Sequence, residues 1–274
     1  MAFLTVGSLF SGIGGLDLGL ERAGHRVIWH SEIDEYACRV LKKHWPNVPN
    51  IGDVKQVNWS EVPNVDIIAG GYPCQPFSTA GKRKGKEDPR HLWPYVLDAI
   101  RAIRPRYALM ENVRGHLTLG FGDVLADLAS CGYSAEWQII PASSVGAPHR
   151  RDRLFFVAYS DDARSRTSER IMDGERSTSL VFGDDSFDGI SRRGSVLAYP
   201  TSRRLEKREP ETESSEDFSL GSNEVRAWWE TEPDVGRVAH GIPSRVDRLR
   251  GLGNAVVPQV AEFVGRLIAE HADN

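Results

Sequence analysis

Cysteine is scarce in this chain: Cys38, Cys74 and Cys131 are odd in number and widely spaced. That excludes a disulfide-stapled scaffold and fits a reducing, cytoplasmic setting. No apolar stretch approaches the roughly 20 residues needed to cross a bilayer. No basic N-region with an apolar core precedes the first expected strand, so neither export nor a membrane partner is expected. Positive charge is not in excess either, since 34 Lys and Arg face 38 Asp and Glu for a net charge of −4. That balance argues against indiscriminate nucleic-acid binding but averages over faces, so a local basic cleft remains open. What is present is an ordinary globular composition, 40% hydrophobic and 26% charged over 274 residues. It has room for one large domain and a smaller one.

Apolar runs predict strands at 3–9, 26–29, 65–69, 107–110, 134–140 and 153–159. Between them, Leu92, Val96, Ala99, Ile100 and Ile103 recur at helical spacing and stop at Pro105. Val124, Leu125 and Leu128 mark another helix, with Gly132 as its C-terminal cap. Strands alternating with helices imply a parallel, doubly wound, Rossmann-like α/β sheet. After residue 160 the chain becomes rich in Ser, Arg, Asp and Glu, which reads as a small, loop-rich or partly disordered region. A last helical pattern, Val256, Val260, Phe263, Val264 and Leu267, follows Gly251-Leu252-Gly253-Asn254 and is expected to pack back on the first domain. The expected organisation is a catalytic domain over 1–159, a target-recognition region over 160–238 and a returning segment over 239–274.

Cys74 carries the sharpest chemical signal. It sits in Gly70-Gly71-Tyr72-Pro73-Cys74-Gln75-Pro76-Phe77-Ser78, directly after an apolar run. Open parallel sheets bind ligands at the carboxyl ends of their strands, and two flanking prolines stiffen the turn. A buried, inert cysteine would need neither the prolines nor the glycines, so a nucleophile is the better reading.

Phe10-Ser11-Gly12-Ile13-Gly14-Gly15 makes a glycine-rich turn between the first strand and first helix, where backbone can approach a cofactor closely. Glu32 follows the second expected strand, about 20 residues on, the place from which an acid reaches ribose hydroxyls. Asp53, in Ile51-Gly52-Asp53-Val54, is read as a third strand-end group that could accept from an adenine amine. Together the three favour an adenosine-containing cofactor. Glu111, at the end of another apolar run, could protonate a substrate ring if burial raises its pKa. Arg151 and Arg153, two apart in an extended chain, would project on one face toward one anionic or base-edge partner; the bland reading is a charge pair on an edge strand.

In this order the motifs resemble those of the DNA (cytosine-5) methyltransferases: the glycine turn, Glu32, Asp53, Pro73-Cys74-Gln75, Glu111-Asn112-Val113, His149-x-Arg151-x-Arg153 and Gly253-Asn254-Ala255-Val256-Val257-Pro258. His149 stands where the family usually has glutamine, and Ala80 where some members have serine. The resemblance implies a Rossmann-like methyltransferase sheet with a small target-recognition domain. It also implies S-adenosyl-L-methionine as cofactor, held by Phe10, Ser11, Gly12, Ile13, Gly14, Gly15, Glu32, Ile33, Asp53, Val54, Pro73, Asn254 and Ala255. Catalysis is carried over to Cys74, Glu111, Arg151 and Arg153. Double-stranded DNA becomes the partner, contacted by Gln75, Ser78, Lys82, Arg83 and Lys84 near the nucleophile and by Arg203, Arg204 and Arg237 in the variable region. Trp228 and Trp229 are equally suited to that region's core. No metal is implied, the expected state is a monomer, and a cognate restriction endonuclease is the expected biological companion. The competing readings are a tRNA cytosine-5 methyltransferase using much the same motifs, and a catalytically inactive DNA-binding relative.

Overall fold

The computed structural model of the chain describes residues 3–73, 92–160 and 245–273. Within them, β1 (Thr5–Leu9), β2 (Arg26–Ser31), β3 (Ile67–Gly70), β4 (Tyr107–Val113), β5 (Tyr133–Ile140) and β6 (Arg153–Ser160) form one sheet in the order β2-β1-β3-β4-β6-β5. Helices α1 (Gly15–Arg22), α2 (Glu35–His44), α3 (Trp93–Ile103) and α4 (Phe121–Ser130) follow β1, β2, β3 and β4 in the chain. Two more, α5 (Arg245–Asn254) and α6 (Pro258–Asp273), close the described chain.

The inner strands are largely apolar because both faces are covered, whereas edge strand β5 is half-exposed and carries Glu136 and Gln138. Ile68, Ala108, Met110, Phe156 and Ala158 face one core with Val96 and Ile100 of α3 and Val124 and Leu128 of α4. Their neighbours Ile67, Ala69, Tyr107, Leu109, Phe155 and Val157 face the other, against Leu16 and Leu20 of α1 and Val260, Val264 and Ile268 of α6. This period-two alternation gives three layers, helix on sheet on helix. The α1–α6 contact is close enough that a Cβ at Gly19 would run into Ala261 and the Pro258 carbonyl. The returning segment therefore packs on the first domain, as the helical pattern implied. The helix over Gly251-Leu252-Gly253-Asn254 was not foreseen, because two glycines weaken any helical signal there.

One strand departs from the expected parallel sheet. β1 to β4 pair in parallel, whereas β6 runs antiparallel to both β4 and β5. A parallel return needs a crossover of a dozen or more residues, usually a helix. The connection from β5 to β6 holds only a short 3₁₀ turn, Ala142–Val145, amid Pro141, Gly146 and Pro148, so the chain folds back as a hairpin. β6 is also interior to the sheet, not an edge strand. Among the described residues no helix is long and apolar enough to cross a membrane.

Candidate active site

The carboxyl ends of the four parallel strands share one rim of the sheet, and the reversal of β6 brings its beginning to that rim, with Arg153 opposite Val113. Chain order reverses between β1 and β3, so the rim has the crevice at which open α/β sheets take ligands.

The glycine turn is built on left-handed backbone at Gly12 (φ 55°) and Gly14 (φ 81°), a region open to glycine at little cost. Phe10 adopts φ 51° without that freedom, a strained position at the mouth of the turn. Space above Gly12 is open, since a Cβ there would meet only the Phe10 carbonyl oxygen at 4.0 Å. Gly15 is pressed against the Val256 carbonyl. The Glu32 carboxylate accepts from the Gly12 N–H at 2.7 Å and from the Ile33 and Asp34 N–H groups at 2.8 Å each. It thereby ties the end of β2 to the glycine turn while one lone pair on the Gly12-bound oxygen stays open to a further donor. Beside it the Ile33 side chain is 68% exposed, an apolar surface at the crevice.

Asp53 is placed differently from its expectation. Residues 51–53 are irregular backbone leading from an isolated bridge between His30 and Asn50 into the turn at 54–56, not a strand, and Asp53 accepts from the Lys55 N–H at 3.0 Å. Val54 behind it is buried. The residue that organises this turn is Asn50, which the sequence reading passed over. Its Oδ1 accepts from the N–H groups of Glu32 (3.0 Å) and Gly52 (3.2 Å), and its Nδ2 donates to the Glu32 carbonyl at 3.0 Å. An asparagine before Ile-Gly-Asp was the available signal, since Asn side chains substitute for backbone in turns.

Glu111 lies at the rim end of β4, 9% exposed. Burial pushes its carboxyl up to about 7, against the pull of the Arg153 and Arg151 guanidinium groups. Arg153 donates from Nε at 3.0 Å. The antiparallel register sets this contact: Glu111 pairs with Phe155, so Arg153 is its diagonal neighbour, within reach of a long side chain. A parallel β6 would have carried Arg153 to the far rim.

Arg151 and Arg153 both lie near enough to Glu111 for their charges to act on it, but they are held differently. Arg151 has φ 39°, outside the strand and not extended, and its Nη2 donates to the carbonyls of Gly253 at 2.8 Å and Ala255 at 2.7 Å. It pins the end of α5, where Asn254 sits, and the start of the segment that links it to α6, where Ala255 sits. Arg250 of α5 reaches Asp34 at 3.3 Å, a second tie between that segment and the glycine-turn side of the crevice.

The chain leading to the cysteine is held from β4. A Cβ at Gly71 would meet Glu111 Oε2 at 2.9 Å, and Asn112 Nδ2 donates to the Tyr72 carbonyl at 3.2 Å. Pro73 follows, exposed at the rim. Cys74, Gln75, Ser78, Lys82, Arg83, Lys84, Arg203, Arg204 and Arg237 lie outside the described residues, as do Trp228 and Trp229 and nearly all of the 160–238 region. Among the described residues no cluster of three or more His, Cys, Asp or Glu side chains is arranged to hold a metal ion.

The family model described as C-5 cytosine-specific DNA methylase matches residues 4–229. Type II methyltransferase M.BsuFI of Bacillus subtilis is 36% identical over 164 residues, a match covering 58% of this chain and 40% of that protein. Type II methyltransferase M.Eco47II of Escherichia coli is 42% identical over 167 residues, with the same 58% and 40% coverage. The match thus spans about two fifths of the length of these curated relatives. The solved structure of a Spodoptera frugiperda DNMT2 mutant superposes with a TM-score of 0.50 at 26% identity, over 58% of this chain and 50% of that one. With the glycine turn, Glu32, Glu111 and Arg153 along one rim of a six-stranded α/β sheet and most of its length matched by the family model, the chain belongs to the C-5 cytosine-specific DNA methylase family.

Proposed function

We propose that the protein transfers a methyl group from S-adenosyl-L-methionine to C5 of cytosine in a specific sequence of double-stranded DNA, through a covalent adduct with Cys74. The observation that carries this reading is the buried Glu111 carboxyl, raised to about 7 and packed against Gly71, three residues before Cys74. A carboxyl with that pKa is available in both protonation states at neutral pH, as ring protonation and its reversal require.

The crevice suits the cofactor chemically. The glycine turn offers open backbone, Glu32 offers a carboxylate oxygen to ribose hydroxyls, and Ile33 offers an apolar face to a flat ring. Phe10, Ser11, Ile13, Asp53, Val54, Pro73, Asn254 and Ala255 complete the proposed lining. When bound, S-adenosyl-L-methionine supplies an electrophilic methyl group. The residues do the rest. The Cys74 thiolate adds to C6 while the Glu111 carboxyl gives its proton to N3, which makes C5 a nucleophilic enamine carbon. Arg153 supports the base and the Glu111 carboxylate that forms. After methylation the C5 proton passes to solvent water as the C6–S bond breaks and Cys74 leaves as thiolate, and Glu111 recovers the proton from N3. The target atom is inaccessible within a duplex, so the nucleotide is turned out of the stack.

Gln75, Ser78, Lys82, Arg83 and Lys84 are assigned to DNA contacts beside the nucleophile. Arg203, Arg204 and Arg237 are assigned to the 160–238 target-recognition region, with 1–159 and 239–274 forming the catalytic unit. A monomer with a cognate restriction endonuclease is the proposed setting. The test is to incubate wild type and Cys74→Ala with S-adenosyl-L-methionine and unmethylated genomic DNA, then map 5-methylcytosine by base-resolution sequencing. Methylation of one short motif by the wild type alone is the expected result. Turnover by Cys74→Ala would remove the nucleophile, and folded wild type that modifies RNA but not DNA would overturn the substrate.

A further inference from the structure

We propose that Tyr72 and His116 are positioning residues that hold the chain entering the nucleophile loop against the strand that carries Glu111; this rests on the methyltransferase reading. Tyr72 is two residues before Cys74, and both its ends are anchored to the β4 side of the rim. Its carbonyl accepts from Asn112 Nδ2 at 3.2 Å, and its hydroxyl meets His116 Nε2 at 2.6 Å. Tyr72 is 5% exposed and His116 1%, so water does not compete for this contact.

His116 is itself fixed in direction. It sits in the 3₁₀ turn Arg114–Thr118 directly after β4, and its Nδ1 lies 2.9 Å from the Leu119 carbonyl oxygen. A carbonyl only accepts, so Nδ1 carries the hydrogen. Nε2 of the neutral ring is then the acceptor and the Tyr72 O–H the donor. The two rings stand edge to face at 5.6 Å, and each has a further aromatic support, Trp93 against Tyr72 at 5.4 Å and Phe121 against His116 at 5.7 Å. Trp93 is in turn anchored through Nε1 to Asp127 at 2.9 Å. The hydroxyl thus joins the backbone two residues before Cys74 to the element continuing from Glu111.

Both side chains are buried against each other and their aromatic neighbours, so the expected signature is a loss of rate without a loss of affinity. The experiment measures single-turnover methyl transfer and covalent trapping on duplex DNA containing 5-fluorocytosine. It uses the full chain as wild type, Tyr72→Phe, His116→Leu, His116→Gln and the Tyr72→Phe/His116→Leu double variant. Melting temperature and the dissociation constants for cofactor and DNA are followed alongside. Tyr72→Phe keeps the ring and removes only the hydroxyl, so it should fold. The expected result is a trapping rate lower by roughly ten- to a hundredfold at saturating substrates with near-normal dissociation constants, because small misplacement of reacting groups is costly. His116→Gln, whose amide oxygen can accept from Tyr72, should recover most of the rate lost in His116→Leu, and the double variant should be no slower than the slower single. A normal rate for Tyr72→Phe, or single-variant losses that multiply in the double, would overturn the proposal while the wild type still trapped DNA. A wild type that traps nothing would overturn the methyltransferase reading, and this inference with it.

Discussion

Replacing Asp17 with asparagine should stabilise the protein increasingly as the solution becomes more alkaline. Asp17 lies on α1 beneath the glycine turn, fully buried, and among the described residues neither carboxylate oxygen has a hydrogen-bond partner. The nearest candidate cation, His30 Nε2, is 3.9 Å away, and burial pushes that imidazole down to about 4, leaving it neutral at pH 7. Burial drives the Asp17 carboxyl from 3.8 up to about 7; the Ser8 hydroxyl eases the shift without completing a hydrogen bond, and Glu21 and Glu32 add to it. Because the folded pKa exceeds the unfolded one, the folded state holds the proton longer, so stability falls as pH rises from about 4 through about 7. At 1.36 kcal/mol per pKa unit the full cost above pH 7 is roughly 4 kcal/mol, of which about 2 to 3 kcal/mol develops between pH 5 and pH 8. An asparagine amide must also find partners, but that cost does not change with pH, so the pH dependence of the difference isolates the charge. The assay is urea denaturation of both proteins at pH 5, 6, 7 and 8. The stability difference should move in favour of Asp17→Asn by about 2 to 3 kcal/mol across that range. A difference constant with pH, or one that grew toward acid, would refute the account.

Two further predictions concern the rim. Glu111→Gln should slow methyl transfer by roughly a hundredfold or more, the usual worth of a positioned proton donor. The wild-type single-turnover rate should also fall as pH rises through about 7, where the buried Glu111 carboxyl gives up its proton; an unchanged inflection in the glutamine variant would assign it to another group. Arg151→Ala removes the guanidinium bonds to the Gly253 and Ala255 carbonyls, so amide hydrogen exchange over 251–257 should quicken. Unaltered protection there would show that packing alone holds the segment.

Much of this protein could be read from local chemistry. The apolar runs of β1, β3, β4 and β6 were visible because strands covered on both faces need no polar alternation. The glycine turn was visible because left-handed backbone at Gly12 and Gly14 calls for a residue without a Cβ. Glu111 was visible as a carboxylate ending an apolar run, which implies burial. Each of these follows from a residue and its immediate neighbours.

What only the tertiary structure decided depends on residues far apart in the chain. The direction of β6 follows from a loop that builds no crossover helix, and that direction alone brings Arg153 to Glu111. Arg151 is oriented by carbonyls about a hundred residues away that accept its hydrogens. Asn50 reaches Glu32 across 18 residues, and Tyr72 reaches His116 across 44. Periodicity reports which face a side chain occupies, whereas a hydrogen bond between distant residues exists only once packing has brought donor and acceptor together and excluded the water that would otherwise satisfy them.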